Sequence, residues 1–296
     1  MNTRVTIGIP AYKNAATLAR CVESILNQTY QDWRLIISDD GSPDETFALA
    51  QEYAARDARI TAIRQEKNLY FLNFKYLLDA AQTPYFVWLA GDDYWAPEYL
   101  AECLAVLEKR PDCCGCVSQC LFFDVDGNEF LAKGTAARLD DPLTNAALYL
   151  QDPVDNTRMY GVFRTEALRE SFPPKIMHAY DWALSAGTFR HGKHFEIQKP
   201  LLFREKSALE NYVNAVRRDE KNRLLRLFPV LRMSLYCLKS GNTPFKGKII
   251  KALIAINYKK HKQYMAFKHK KAYSRLAFLY DFFDKNILWR LVQKGG

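Results

Sequence analysis

VTIGIPAYKNAATLARCVESILNQTYQDWRLIISDDGSPDET, residues 5–46, is the stretch on which the fold class turns. VTIGI at 5–9 is rich in β-branched residues and ends at Pro10, as a strand does. Across 16–28, Leu18, Val22, Ile25 and Leu26 recur at helical spacing. WRLIISDD at 33–40 is a second apolar run, and it passes directly into acid. Strand, helix and strand in that order argue for an α/β class with a mostly parallel sheet.

The alternation continues outward. DETFALAQEYAAR at 44–56 is helical, with Ser42 or Asp44 placed to cap it. RITAIR at 59–64 is a third strand and FLNFKYLLDAA at 71–81 a third helix. YFVWLAGDD at 85–93 predicts a fourth strand, continuously apolar as in a strand covered on both faces. Pro97 falls in the first turn of the next predicted helix. CVSQCLFFDVDGNEF at 116–130 predicts two strands joined at Asp126-Gly127-Asn128. Residues 132–157 give loop and helix pieces, 159–164 a short strand, and 181–193 a helix ending at Gly192. HFEIQKPLLFREKS at 194–207 is strand-like but broken at Pro200. From 211 the pattern is helical, interrupted at 240–248.

Ligands of open α/β sheets bind beyond the carboxyl ends of the strands. Three such ends are polar here: Pro10-Ala11-Tyr12, Asp39-Asp40-Gly41-Ser42 and Gly91-Asp92-Asp93. In a parallel sheet they converge on one edge. Adjacent carboxylates repel, and burial raises the cost of charging them. A divalent cation offsets both effects, and Mn2+ or Mg2+ uses one or two carboxylates together with substrate phosphates. A lone Asp-Asp is more often a solvated turn or a helix cap, so the pair points to metal only in combination with the other two strand ends.

That combination, IPAYKN through DDGSPDET followed by FVWLAGDDYWAPEYL, resembles glycosyltransferase family 2 over residues 3–206. The resemblance implies a GT-A fold, a Rossmann-like nucleotide-binding mixed sheet flanked by helices. It divides the chain into a catalytic domain at 1–210, with a nucleotide-sugar half at 1–110 and an acceptor half at 111–210, and a basic helical region at 211–296. It also implies an inverting, metal-dependent transfer from a UDP-, GDP- or dTDP-sugar donor to a glycan or lipid-linked acceptor. The expected setting is bacterial surface polysaccharide synthesis, such as lipopolysaccharide, O-antigen or capsule.

Residue by residue, the resemblance has Pro10, Ala11 and Tyr12 lining the base and ribose pocket. Asp40 accepts a hydrogen bond from the base, Asp39 supports that loop, and Gly41 supplies its backbone freedom. Asp93 is the favoured metal ligand and Asp92 contacts ribose or metal. Many relatives carry a further acid two positions before Asp92; this chain has Ala90 there, which keeps both acids as candidate ligands. Asp181, in HAYDWALSAG, matches the family's catalytic base, although an Asp at a helix start is also a good cap. Arg204 matches an arginine that could hold phosphate, or it forms an ordinary ion pair. Asn68 faces the donor or caps the helix after it.

Charge is segregated along the chain. Residues 1–214 hold 22 Lys+Arg against 29 Asp+Glu, a net of −7; residues 215–296 hold 20 against 4, a net of +16. The basic segment points to an anionic partner. In 273–292, Leu276, Leu279, Phe283, Ile287 and Leu291 form an apolar stripe, with Tyr280, Phe282 and Trp289 as neighbouring aromatics. That pattern suits peripheral contact with an anionic membrane, or packing on the catalytic domain. Nucleic acid is not expected, because no recognition motif accompanies the charge. The N-terminus lacks the apolar core of a signal peptide and no apolar run spans a bilayer, so the expected place is the cytoplasm or the inner membrane face. Seven cysteines, four of them in CCGCVSQC, read as a buried strand rather than a thiolate metal site, since paired C-x-x-C units are missing. Two rivals remain: a sugar nucleotidyltransferase, which would want a Gly-rich loop where IPAYKN stands, and an inactive glycan-binding relative.

Overall fold

A computed structural model describes residues 3–124, 128–132, 141–151, 153, 156–175, 177–205, 211–239 and 247–288. In chain order the first elements are β1 (Val5–Ala11), α1 (Leu18–Leu26), β2 (Trp33–Asp39), α2 (Thr46–Arg56), β3 (Ile60–Arg64) and α3 (Phe71–Ala80). Next come β4 (Tyr85–Trp88), β5 (Tyr94–Trp95), α4 (Tyr99–Lys109), β6 (Cys113–Phe123), β7 (Glu129–Leu131) and α5 (Pro142–Gln151). The remainder are β8 (Val162–Arg164), α6 (Thr165–Ser171), α7 (Tyr180–Thr188), β9 (Lys193–Glu205), α8 (Asn211–Asp219), α9 (Leu231–Lys239), α10 (Gly247–Lys268) and α11 (Lys270–Phe283).

The chain forms two compact units. The first comprises Met1–Gly134, Asp155–Phe172 and His191–Lys206; the second comprises Thr135–Val154, Pro173–Arg190 and Ser207–Gly296. The first unit holds one mixed sheet in the order β3-β2-β1-β4-β8-β6-β9-β5, with β7 beside β6. β3, β2, β1 and β4 are mutually parallel. β8 runs antiparallel to both β4 and β6, while β9 is parallel to β6. Central β1 is buried on both faces because Val5, Ile7, Ile9 and Ala11 have no exposed surface and Gly8 leaves no room for a side chain beside Phe86 and Leu77. α1 turns Leu18, Cys21, Val22 and Ile25 onto that sheet.

Two details depart from expectation. The fourth strand stops at Trp88 instead of running to Asp93. Leu89 still donates its N–H to the Gly8 carbonyl at 3.0 Å, but the chain then turns, closed by Asp93 N–H to Ala90 O at 3.0 Å. Leu89 is as buried as a strand residue, so its apolarity could not mark the end. In the other direction, β9 continues through Pro200. The missing donor is absorbed where the β6–β9 register shifts, opposite Gln119. Of the hairpin expected after β6, Asp126 and Gly127 lie outside the described residues; Asn128 and β7 follow it. Ser240 to Lys246, Trp289 and Leu291 lie outside them too.

The second unit is helical. Tyr149, Leu150, Trp182, Phe189, Met233, Ile249, Leu253 and Ile256 are among the side chains of its core. Lys260 lies over the Trp182 ring at 5.1 Å. Among the described residues no helix is long and apolar enough to cross a membrane. All seven cysteines are free and buried.

Candidate active site

β1 and β2 pair with Ala11 opposite Asp39, so two of the polar strand ends lie side by side. The Asp39 carboxylate is fully buried and accepts the Ser42 N–H at 3.1 Å, closing the turn over Asp40 and Gly41. Gly41 takes φ +72°, a left-handed conformation that disfavours other residues. Arg64 lies 3.7 Å from Asp39. Asp40 donates its own N–H to the Ala11 carbonyl at 2.8 Å. Its carboxylate accepts the N–H groups of Leu69 and Tyr70, at 2.6 and 2.9 Å. Burial pushes the Asp40 carboxyl up, and those two N–H groups oppose the shift. Asn68 accepts the same Tyr70 N–H at 2.9 Å. Tyr12 is exposed, Pro10 is half-buried and Ala11 is buried.

The acidic turn hangs from α1. Cys21 reaches the Ala90 carbonyl at 3.4 Å, Thr17 the Gly91 carbonyl at 2.8 Å, and Arg20 the Asp92 carbonyl at 2.8 Å. Positions 17, 20 and 21 share one helix face, so three consecutive carbonyls meet three donors in register. Asn14 ties the same turn to the β1 exit: it accepts the Tyr12 N–H at 2.9 Å, and a side chain at Gly91 would stand 2.7 Å from it.

Asp92 and Asp93 then separate. Asp93 is 1% exposed, bonded by Arg204 Nε at 2.8 Å and by the Glu205 N–H at 3.3 Å. Burial raises its carboxyl to about 6 although Arg204 pulls it down; the Asp92 charge adds to the rise. Arg204 lies over the Tyr160 ring at 4.1 Å. The Asp92 carboxylate is half-buried and has no hydrogen bond or ion pair among the described residues. Among those residues no group of three or more His, Cys, Asp or Glu is placed to hold a metal ion.

Pro10, Ala11, Tyr12, Asp39, Asp40, Gly41, Asn68, Asp92, Asp93 and Arg204 all belong to the first unit. Asp181 belongs to the second, half-buried in the first turn of α7. Sequence reasoning missed Asn14, Thr17 and Arg20, whose polar side chains at a helix start look like ordinary surface. The signal was there in weak form: Thr17 and Arg20 flank a strongly apolar helix face that Cys21 shares.

Residues 6–172 match the model of glycosyl transferase family 2. The chain belongs to that family. A putative glycosyltransferase EpsE of Bacillus subtilis is 36% identical over 109 residues, which is 36% of this chain and 39% of that one. A chondroitin synthase of Escherichia coli is 35% identical over 105 residues, 36% of this chain and 15% of that one. The chain thus covers less than half the length of either relative. Among solved structures, S. aureus TarS 1–349 in complex with UDP superposes with a TM-score of 0.58 at 13% identity, over 95% of this chain and 91% of that one. The mannosyltransferase PcManGT from Pyrobaculum calidifontis, in complex with GDP-Man and Mn2+, gives 0.59 at 17% identity over 90% and 73%. Family 2 membership and the GT-A fold therefore agree with the α/β architecture expected from the sequence.

Proposed function

We propose that the chain transfers a sugar from a nucleotide-sugar donor to a glycan or lipid-linked acceptor, with inversion and with Mn2+ or Mg2+. What carries this reading is the Asp92 carboxylate, without a partner among the described residues, in the turn that follows β4 at the sheet edge where β1 and β2 also end, at Ala11 and Asp39. The acids there, Asp39, Asp40 and Asp92, present hard carboxylate oxygens, as Mn2+ and Mg2+ prefer. With fewer than three protein ligands at hand, the remaining positions would be filled by donor phosphates and water. Such an ion would neutralise charge on the leaving diphosphate.

We take Asp92 as the preferred ligand over Asp93, and the pairing of Asp93 with Arg204 supports that choice. A metal at Asp93 would have to displace Arg204 from a buried pair, whereas Asp92 forms no such pair among the described residues. Asp93 and Arg204 then act behind the site, fixing the turn to the end of β9. Arg204 is correspondingly better read as a counter-ion than as a phosphate ligand. Asp40 supports the pocket through Leu69 and Tyr70, and Tyr12 offers an exposed ring to a base. Asp181 takes the proton of the acceptor hydroxyl. The freed oxygen bonds to the anomeric carbon while that carbon's bond to the diphosphate oxygen breaks, and the nucleoside diphosphate leaves with the electron pair.

The test is thermal stabilisation by UDP-, GDP- and dTDP-sugars, with and without Mn2+. One nucleotide should stabilise only when metal is present; silence from all of them with metal present would reject the transferase. Asp181→Asn should abolish transfer to an added acceptor and leave donor stabilisation nearly intact. Loss of donor binding in that variant would remove Asp181 as the base.

A further inference from the structure

α11 has two unlike faces. On the inner one Tyr273 stacks on Tyr280 at 5.2 Å, Phe283 on Tyr258 at 4.2 Å, and the Tyr280 hydroxyl meets His261 Nε2 at 3.0 Å. The outer one carries Lys271, Arg275, Phe278 and Phe282 at steps of four, three and four residues, which places them in one line. Phe278 is 78% exposed, and Leu279 and Phe282 beside it are 58% and 52% exposed. The stripe expected from sequence is rotated by this packing: Phe283 turns inward, while Phe278 and Phe282 face water.

An open groove of about 800 Å3 adjoins the start of the helix, lined by Phe267, Lys268, Lys270, Lys271, Arg275 and Leu276 among others. Lys268, Lys270, Lys271 and Arg275 are exposed and form no ion pair among the described residues. No Asp or Glu occurs in 268–276. The next acids along the chain are already engaged, Asp281 with Lys285 at 2.8 Å and Asp284 with Lys262. Lys271 and Arg275, without an ion pair among the described residues, thus stand one to two turns from a bare aromatic patch on the same helix face, and Lys268 and Lys270 flank them in the groove.

We propose that this outer face of α11, with its groove, docks on an anionic lipid bilayer. Phe278, Leu279 and Phe282 enter the boundary between headgroups and acyl chains, and the four cations meet lipid phosphates. A second copy seated on this face with the same face of its own is the poorer occupant, since that would bring like charges together. Nucleic acid would satisfy the charge and leave the aliphatic Leu279 in water. The proposal is independent of the transferase reading: it concerns where the protein resides, not what it catalyses.

Full-length protein is sedimented with phosphatidylcholine vesicles, with and without about 30% phosphatidylglycerol. Binding is expected only with the anionic lipid, and weaker as salt is raised. The triple variant Phe278→Ser/Leu279→Ser/Phe282→Ser should lower partitioning about a hundredfold, and Lys270→Glu/Lys271→Glu/Arg275→Glu at least about tenfold. All six positions are exposed, so both variants should melt with wild type. The proposal is overturned if wild type ignores anionic vesicles, if it binds neutral ones equally, or if the serine triple binds unchanged. Dimerisation abolished by the serine triple, or retention on single-stranded RNA in place of vesicles, overturns it as well.

Discussion

Asp92→Asn should reduce sugar transfer by about a thousandfold or more and erase the metal dependence of nucleotide binding, while the ligand-free protein melts unchanged. The two halves of that result have separate origins. Asp92 has no partner to lose among the described residues, and its neighbour's N–H, not its own carboxylate, closes the 90–93 turn, so folding does not depend on its charge. A thousandfold is about 4 kcal/mol of transition-state stabilisation, the scale expected when a metal is no longer held against a leaving diphosphate. Mn2+ titration followed by paramagnetic resonance, alongside melting curves, separates the two. If Asp92→Asn retains turnover while Asp93→Asn loses metal at an unchanged melting temperature, the ligand is Asp93, as the sequence by itself favoured.

Arg204→Met should cost about 3–5 kcal/mol of stability near neutral pH, because it strands the Asp93 carboxylate in a buried site. The pH dependence follows from Asp93 having a carboxyl raised from 3.8 to about 6 in the folded protein. Between those values the folded chain keeps a proton that the unfolded chain has lost. Stability from this group therefore falls as pH rises through roughly 4 to 6. Without the guanidinium the folded value climbs further and the fall extends above pH 6. The deficit of Arg204→Met against wild type should be largest above pH 7 and shrink toward pH 5, measured by chemical denaturation in metal-free buffer. A deficit that ignores pH would locate the loss in the packing of Arg204 on Tyr160 instead. Adding Asp93→Asn to the variant should recover most of the stability, since a neutral side chain no longer demands a counter-ion.

The parallel half of the sheet was legible because each of its strands is an apolar run with a polar end, and such runs have one comfortable environment. The convergence of Tyr12, Asp39, Asp40 and Asp92 on one edge followed from that alone. What stayed hidden was pairing across long separations. Nothing near Asp93 announces Arg204, which lies 111 residues away. Nothing near Asp40 shows that Leu69 and Tyr70 will use its carboxylate. The outward face of α11 stayed open for a related reason: several rotations bury comparable apolar surface, and Tyr258 and His261, on another helix, select one. The compact units also interleave along the chain, with 155–172 and 191–206 returning to the first, a partition that reading from end to end does not disclose.

The sealed thiols have a practical corollary. Seven thiols, none at the surface, mean that thiol-alkylating reagents can reach the native chain only when it opens. Burial also holds thiols such as Cys21, Cys103, Cys114 and Cys237 in the unreactive protonated form. Six of the seven lie in the first unit and Cys237 alone in the second. The sulfurs therefore form a native set of clocks, and the order in which they label during partial denaturation times the release of each unit without any added probe.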